Sequence, residues 1–410
     1  MASLAAIGRV FSHRNARIFY AGSLTSWTGL WMQKIATDWL TWQLTHSALW
    51  VGIMAFCNLG PSVIASPIAG AVADRMDRVR LTVFFQFVSA SHAATLVALI
   101  LSGLIRVEIM AALEVVLGIG NAFGQPARQC LVPGLVPRAE LPGAVALNSL
   151  TFNAARFIGP AIAGPIIAIW GVVPPIACNC AGFLFASFTI ISLRIDPAFR
   201  RGHAPTASVW REVKDGLLYV ARHPGMGPIF LFAACVGMLL RSVPEMMPPF
   251  VAQLFGRGAE GLAILASTMG IAALVGGTLV AMRGRLSGLT RLAIGAGFLL
   301  MLATAGFVAT HSFAVGVLCV AAMGAATTAH GIAIQTMLQS ASSPAMIGRV
   351  ISLWGMVVRG GPAVGALVYG ATSEFVGLQL PVLAGCLLLC GAWLWVRSRQ
   401  PRIALALEAA

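Results

Sequence analysis

The sequence predicts an all-α membrane protein in which twelve transmembrane helices form two six-helix repeats. The first observation behind this prediction is composition, since 58% of the 410 residues are hydrophobic and only 10% are charged. Soluble domains carry about a quarter charged residues, so a chain with a mean hydropathy of +0.87 is predicted to cross the membrane many times. A transmembrane barrel would need alternating segments of about ten residues, and the sequence shows none.

The second observation is a series of apolar segments along the whole chain. A hydrocarbon core about 30 Å thick is crossed by about 20 apolar residues in a helix, and twelve segments meet this length. The predicted spans are 17–43, 48–72, 81–104, 107–127, 143–170, 173–193, 226–254, 260–282, 290–310, 312–338, 347–373 and 377–397. The first span has no small-residue cleavage site, so no secretory signal peptide is predicted.

The basic residues predict the orientation of the chain. With the N-terminus in the cytoplasm, 21 of the 27 lysines and arginines fall on cytoplasmic loops and ends, and four lie within spans. Only Arg106 and Arg257 fall on the other side. By the positive-inside rule both termini are predicted to be cytoplasmic, in a plasma membrane of the bacterial inner-membrane type. The net charge of +14 therefore orients the protein and contacts anionic lipid, and nucleic-acid binding is not predicted.

The longest polar break predicts the domain boundaries. It covers 194–225 and separates an N-terminal six-helix bundle, 1–193, from 226–410, a C-terminal six-helix bundle with a short cytoplasmic tail. Within the break, five apolar residues recur at helical spacing: Val209, Trp210, Val213, Leu217 and Leu218. This pattern predicts an interfacial amphipathic helix, with a plain solvated linker as the alternative.

Two pairs of similar segments indicate that the halves are repeats. Spans five and eleven share an arginine followed by Gly-Pro about 203 positions apart: Arg156, Gly159 and Pro160, then Arg359, Gly361 and Pro362. Spans one and seven each carry a basic and an acidic residue four positions apart, 207 positions from one copy to the next: Lys34 and Asp38, then Arg241 and Glu245. Two six-span repeats related by an axis along the membrane normal are typical of one large class of secondary transporters.

The loop after span two, GAVADRMDRVRL, is predicted to act in gating. Its candidate gating residues are Gly70, Asp74, Arg75, Asp77, Arg78 and Arg80. An acid at a helix end followed by arginines in a tight cytoplasmic loop can hold a neighbouring helix in one conformation and release it in another. Topology charge is the alternative, and it explains the arginines without explaining the spacing of glycine and aspartate.

This loop resembles the G-x-x-x-D-R-x-x-R-x-R motif of the major facilitator superfamily, with Asp77 at a usual glycine position. The run from Gly120 to Gly164 and the segment WMQKIATDWLTWQLT resemble the efflux branch of enterobactin-exporter-like and macrolide-efflux-like permeases. The resemblance covers essentially the whole chain. It implies a major facilitator fold with a central cavity lined mainly by spans one, four, seven and ten, and export of small amphiphilic molecules driven by protons. It does not transfer a substrate.

Ionisable residues inside the spans are the candidate substrate and proton-coupling residues. They are Lys34, Asp38, Glu114, Arg156, Arg241, Glu245 and Arg359. A charge near the bilayer centre costs about 2.5–3.5 kcal/mol on insertion scales, so such groups usually face a bundle interior or a wet cavity and have partners. The i,i+4 spacing predicts that each acid–base pair shares one helical face.

We interpret these groups as a ring around one aqueous cavity that exchanges ionic partners. A carboxylate that loses its cation in a low-dielectric site takes up a proton, which makes Asp38, Glu114 and Glu245 the candidate proton carriers. Fixed ion pairs, and arginines that brace helix packing, are the alternatives. The amides Gln33 and Asn153, with Asn148 and Asn179, line the cavity or hydrogen-bond between helices.

The sequence therefore predicts a secondary transporter that exports a drug, siderophore or metabolite by proton antiport through alternating access. Proton-coupled uptake and a non-transporting membrane scaffold are the alternatives. No enzyme, cofactor or metal site is predicted, because GxSxG, G-K-[ST] and HExxH are absent and the cysteines form no CxxC pair. His330 either packs or titrates in a cavity. The expected partners are substrate, protons and lipid, and the expected state is a monomer.

Overall fold

The computed structural model describes residues 8–196, 209–283, 285–344 and 346–408, and within these ranges the regular structure is helical. The helices are α1 (Arg14–Thr45), α2 (Ala48–Arg75), α3 (Arg78–Leu101), α4 (Val107–Gln129), α5 (Leu141–Trp170), α6 (Val173–Ile191), α7 (Val209–Arg222), α8 (Met226–Leu239), α9 (Met247–Phe255), α10 (Ala259–Arg283), α11 (Leu289–Ala309), α12 (Phe313–Ala341), α13 (Ile347–Val376), α14 (Gln379–Ser398) and α15 (Gln400–Leu407). This confirms the predicted fold class.

Eleven segments of the described chain are long and apolar enough to cross a membrane. The remaining predicted span, the first one at 17–43, is α1, whose 32 residues rise about 48 Å at the usual 1.5 Å per residue. It lies outside those eleven because Lys34, Asp38 and other polar residues lower its hydropathy. Large apolar side chains are exposed along the spans, for example Phe375 at 87% and Leu387 at 76%. Such exposure is expected where a lipid tail, and not water, meets the side chain.

Packing divides the chain into two compact units. Unit 1 contains the described residues within 1–44, 64–206 and 258–267, and unit 2 contains those within 45–63, 207–257 and 268–410. The helices α2 and α10 are therefore each divided between the two units, at residues 63/64 and 267/268. The sequence-based boundaries at 193 and 226 stay a prediction.

The seventh predicted span is interrupted where the first is continuous. α8 ends at Leu239, a short 3₁₀ turn covers Val243–Met246, and α9 follows from Met247. Pro244 stands in this break; proline has no N–H and its ring clashes with the carbonyl four residues earlier. The prediction that Arg241 and Glu245 share one face of a continuous helix is therefore wrong, because Arg241 precedes the turn that contains Glu245.

Matching glycines bring helices close together in the two units. A Cβ on Gly159 of α5 would lie 2.6 Å from Cβ of Trp31 and 2.8 Å from the carbonyl oxygen of Thr28, both on α1. A Cβ on Gly361 of α13 would lie 2.9 Å from the carbonyl carbon of Gly237 on α8. The Gly-Pro segments that suggested a repeat thus make the same kind of close helix contact in each unit.

Two cytoplasmic-side helices, as the sequence orients them, pack within unit 2. α7 forms where an amphipathic helix was predicted, and Asp215 lies 3.5 Å from Arg349 of α13. α15 buries Ile403 and Leu407 completely. After it, the Glu408 carboxylate accepts hydrogen bonds from backbone N–H groups at the start of α11, from Thr290 at 2.6 Å and Gly288 at 2.5 Å. The predicted short tail is therefore a packed helix that caps a span.

Candidate functional site

Four buried polar side chains from four different spans meet inside unit 1. They are Gln33 on α1, His92 on α3, Glu114 on α4 and Asn179 on α6. Their residues are exposed by 2%, 3%, 7% and 0% respectively. Polar groups buried in a span are costly unless they satisfy one another. This cluster, here called the interior cluster, is the candidate site with the most complete geometry.

The hydrogen bonds of the interior cluster run in one direction. Asn179 Nδ2 donates to Gln33 Oε1 at 2.7 Å, which leaves the Gln33 amide nitrogen facing His92 Nδ1 at 3.2 Å. Because an amide nitrogen only donates, His92 Nδ1 accepts, and the neutral imidazole carries its proton on Nε2. His92 Nε2 lies 3.8 Å from Glu114 Oε1, which is close enough for charges to interact and too long for a hydrogen bond.

Sequence reasoning named Glu114, Gln33 and Asn179 as candidates and missed His92. A signal was available in the short turn between α3 and α4. The two helices form an antiparallel hairpin around residues 102–106, and His92 and Glu114 lie at similar distances from that turn. They are therefore expected at similar depth, although sequence alone does not say that they face each other.

The predicted pair on α1 is formed. Lys34 Nζ donates to Asp38 Oδ2 at 2.9 Å, with side chains that are 35% and 19% exposed. Thr37 lies on the buried side of α1 and its hydroxyl donates to the Gln33 carbonyl at 3.0 Å. Since consecutive helical residues point about 100° apart, Gln33 faces the interior cluster while Lys34 and Asp38 lie on a more exposed face.

The remaining unit 1 candidates lie on α5. Arg156 is half-buried, and its guanidinium carbon lies 5.4 Å from the Trp31 ring centroid, which is within cation–π range. Asn153 Nδ2 donates to the Ser149 carbonyl one turn earlier at 2.8 Å. The Arg156 contact fits the bracing alternative, and the Asn153 bond is local to its own helix.

Unit 2 contains the other candidates. Arg241 and Glu245 are half-buried beside the break between α8 and α9, and Arg359 on α13 is exposed. His330 on α12 is buried, its Nδ1 lies 2.9 Å from the Ala293 carbonyl oxygen, and its ring packs edge-on against Phe232. These contacts favour the packing interpretation of His330.

The loop before α3 shows one clear role. Asp77 caps α3, because its side chain accepts hydrogen bonds from the backbone N–H groups of Val79 at 2.9 Å and Arg80 at 3.0 Å. Such a cap satisfies N–H groups that the helix leaves unpaired. The Asp77 side chain thus gives this loop an N-cap where the resembling motif usually has glycine. Gly70 has no side chain, and the side chains of Asp74 and Arg75 lie outside the described part of the chain, so gating stays a prediction.

Arg128 is a buried cation that sequence reasoning placed in a cytoplasmic loop. It belongs to the last turn of α4 and is 6% exposed. Its guanidinium carbon lies 4.1 Å from the Trp27 ring centroid and 5.5 Å from that of Phe19, both on α1. Stacking on aromatic faces accommodates a buried guanidinium, so Arg128 braces α4 against α1.

Comparison with known protein families identifies the chain. Residues 9–409 match the family described as transmembrane secretion effector. The chain belongs to this family. It is accordingly a multi-pass membrane protein of the major facilitator superfamily, as its resemblance implied, and proteins of this superfamily are transporters and not enzymes.

Three proteins similar to this chain have names that describe transport. The chain is 21% identical to macrolide efflux protein A of Streptococcus pyogenes over 90% of the chain and 92% of that protein. It is 24% identical to the staphyloferrin A transporter of Staphylococcus aureus, over 88% and 90%. It is 25% identical to the enterobactin exporter EntS of Escherichia coli, over 89% and 86%.

Solved structures support the fold independently. The nucleoside transporter NupG superposes with a TM-score of 0.74 at 12% identity, covering 94% of this chain and 98% of its own. A bacterial homologue of the iron transporter ferroportin gives 0.71 at 16% identity, covering 94% and 99%. At these identities the likeness shows the fold alone.

Proposed function

We propose that this secretion effector family member exports a small amphiphilic molecule by proton antiport through alternating access. The observation that carries the proposal is the set of ionisable groups inside its spans, above all the paired Lys34 and Asp38 on α1. Groups of this kind are costly in a membrane and mark transport or proton pathways. The names of the relatives cover a macrolide efflux protein, an enterobactin exporter and a staphyloferrin A transporter, and they support export of a drug or siderophore.

The proposed coupling follows from electrostatics. While Lys34 holds Asp38, the carboxylate stays ionised; when the pair opens in a poorly hydrated site, Asp38 gains a proton, and re-forming the pair expels it. Substrate binding that re-forms the pair would therefore expel the proton, and proton uptake that opens the pair would favour substrate release, which is exchange. Asp38, Glu114 and Glu245 remain the three candidate carriers in this scheme.

The test is solute flux in everted membrane vesicles from cells that produce the protein, driven by an imposed pH gradient. The probes are a radiolabelled macrolide and a panel of labelled siderophores. We expect accumulation that a protonophore abolishes, with proton movement opposite to that of the probe. Proton and probe movement in the same direction would favour uptake by symport, and no gradient-driven movement of any probe would favour a scaffold.

We also propose that the protein is a monomer of the bacterial inner membrane with both termini cytoplasmic. The distribution of arginines supports the orientation. Single-cysteine labelling with an impermeant reagent in intact cells tests it. A cysteine placed beside Arg106 is expected to react, and one placed beside Arg285 is expected to react only after lysis.

A further inference from the structure

Inside unit 1 a histidine and a carboxylate face each other at the centre of the interior cluster. The side chain of His92 is 1% exposed and that of Glu114 is 9% exposed. Their nitrogen–oxygen distance of 3.8 Å is too short for another atom to lie between them. Among the described residues, His92 Nε2 has no hydrogen-bond partner. We propose that His92 and Glu114 together form a single proton-binding site, in which Gln33 and Asn179 act as positioning residues. This proposal rests on the proposed function and names its proton site.

The charge balance of the pair favours one bound proton. A neutral histidine beside a protonated carboxyl, and a protonated histidine beside a carboxylate, contain the same number of protons and have zero net charge. The second state needs a proton on Nδ1 as well, so it forms only when Gln33 no longer donates there. Loss of the shared proton leaves one buried negative charge, and gain of another leaves one buried positive charge. Both are unfavourable in a dry site. The pair therefore holds its single proton until hydration or a neighbouring charge changes.

The positioning residues decide which histidine nitrogen faces the acid. The Gln33 amide donates to Nδ1, and the Asn179 amide fixes Gln33 in that orientation. Nε2 is thereby left as the protonated nitrogen, directed at Glu114. An α1 movement that withdrew Gln33 would free Nδ1 and change how the pair shares its proton.

The charged groups on the packed helices set the field around the pair. On α1, Lys34 and Asp38 are bonded to each other, and Lys34 follows Gln33 directly in sequence. On α4, Glu108 is exposed in the first turn, and Arg128 lies about 21 Å from Glu114 along the helix axis. Arg78 and Arg80 are similarly distant on α3, and Cys178 and Cys180 flank Asn179 on α6. Opening of the Lys34–Asp38 pair is the nearest event that changes this field, which links the proton site to the exposed face of α1.

The test is infrared difference spectroscopy of the purified, full-length protein in lipid across a pH series. The Glu114 band is the protonated-carboxyl stretch that is absent from the Glu114→Gln variant. In His92→Gln the Nε2–H directed at the carboxylate is lost, so the ionised form of Glu114 is less favoured and we expect the proton affinity of Glu114 to rise by about tenfold. Glu108→Gln, an exposed acid on the same helix, and His330→Gln, a buried histidine bonded to a backbone carbonyl, are the matched controls and should leave the band unchanged.

The Glu114→Asp variant provides a second measurement if His92→Gln does not fold. Aspartate keeps the charge and moves it away from His92 by one methylene, so the proton affinity should shift in the same direction and less far. A Glu114 band that titrates identically with and without His92, or a Glu114→Asp band that titrates like the original, overturns the proposal. The infrared spectra need no substrate. If the titration of Glu114 depends on His92 but the vesicles show no gradient-driven transport, only the proposed function is overturned.

Discussion

The two predicted copies of the acid–base pair differ in their backbone. Lys34 and Asp38 lie on the continuous helix α1 and form a 2.9 Å ion pair, whereas Arg241 and Glu245 lie beside the break between α8 and α9. Spacing of four residues fixes a shared face only while the helix is unbroken. A repeat in sequence has thus kept the residue types and changed the local structure, and the two copies are expected to contribute differently to transport.

The largest expected effect comes from neutralising the acid in each copy. Asp38→Asn is expected to abolish gradient-driven transport of the macrolide probe. The proton and Lys34 are proposed to alternate as partners of the Asp38 carboxylate, and an asparagine amide binds neither in this way. Glu245→Gln is expected to lower transport less, because Glu245 lies in a short 3₁₀ turn and helical spacing does not fix its position relative to Arg241. Flux in everted vesicles, normalised to the amount of folded protein, measures both.

Asp38→Glu is the control, since it keeps the charge and should retain part of the flux. Equal losses in Asp38→Asn and Glu245→Gln would contradict the proposed difference between the copies. Wild-type flux in Asp38→Asn, Glu245→Gln and Glu114→Gln alike would contradict proton coupling through these residues.

The second prediction concerns a feature that the copies share. Gly159→Ala and Gly361→Ala each place a methyl group under 3 Å from atoms of the facing helix. Backbone atoms are among those contacts and cannot rotate away, so each variant is expected to lose about 1–3 kcal/mol of stability. Thermal unfolding in detergent, followed by tryptophan fluorescence, measures the loss.

Gly355→Ala is the matched control for Gly361→Ala, because it lies on the same helix and its added methyl group meets nothing within 4 Å. It should keep or slightly raise the melting temperature, since alanine is the better helix former. A large loss in Gly361→Ala together with no loss in Gly159→Ala would show that only one copy depends on the close helix contact.

The sequence predicted the elements of the fold better than their contacts. Length and hydropathy suffice for eleven of the twelve predicted spans, α1 being the more polar one, and the helix bounds follow the predicted ones within a few residues except at the break. That break was open to prediction too, because Pro244, Pro248 and Pro249 crowd one short segment. The i,i+4 argument failed there by assuming a helix through a proline.

The interior cluster shows what the sequence could not supply. Glu114 drew attention because an acid is rare in a span, whereas His92 is one of seven scattered histidines and no neighbouring residue in the sequence marks it. Its importance comes from the rotation of α3, which turns it toward α4 and α1. Spacing gives depth and face along one helix, whereas the rotation of one helix against another depends on packing.

A smaller effect is expected where α8 begins. His223 lies outside the spans, and its Nδ1 accepts hydrogen bonds from the N–H groups of Gly225 and Met226, each at 3.2 Å. Burial lowers the pKa of His223 below its ordinary value of 6.5. The folded protein then binds a proton less readily than the unfolded chain, so stability is full above about pH 6.5 and falls as pH decreases below it.

The measurement is the melting temperature at pH 7.5 and pH 5.5. The fall caused by His223 should be a fraction of the about 1 kcal/mol that a helix cap contributes. His223→Asn keeps an acceptor that does not titrate, so this part of the pH dependence should disappear. If the variant keeps the full pH dependence, other groups cause it.

The smallest expected effect, and the most direct comparison of the two copies, is the coupling free energy within each pair. In a double-mutant cycle of Lys34→Gln and Asp38→Asn, the stability losses should be non-additive by about 0.3–0.5 kcal/mol, as for i,i+4 ion pairs on partly exposed helix faces. The same cycle with Arg241→Gln and Glu245→Gln should give a different value, because no continuous helix fixes their separation. Equal coupling would mean that the break leaves the ionic interaction unchanged, and the difference between the copies would then lie in the backbone alone.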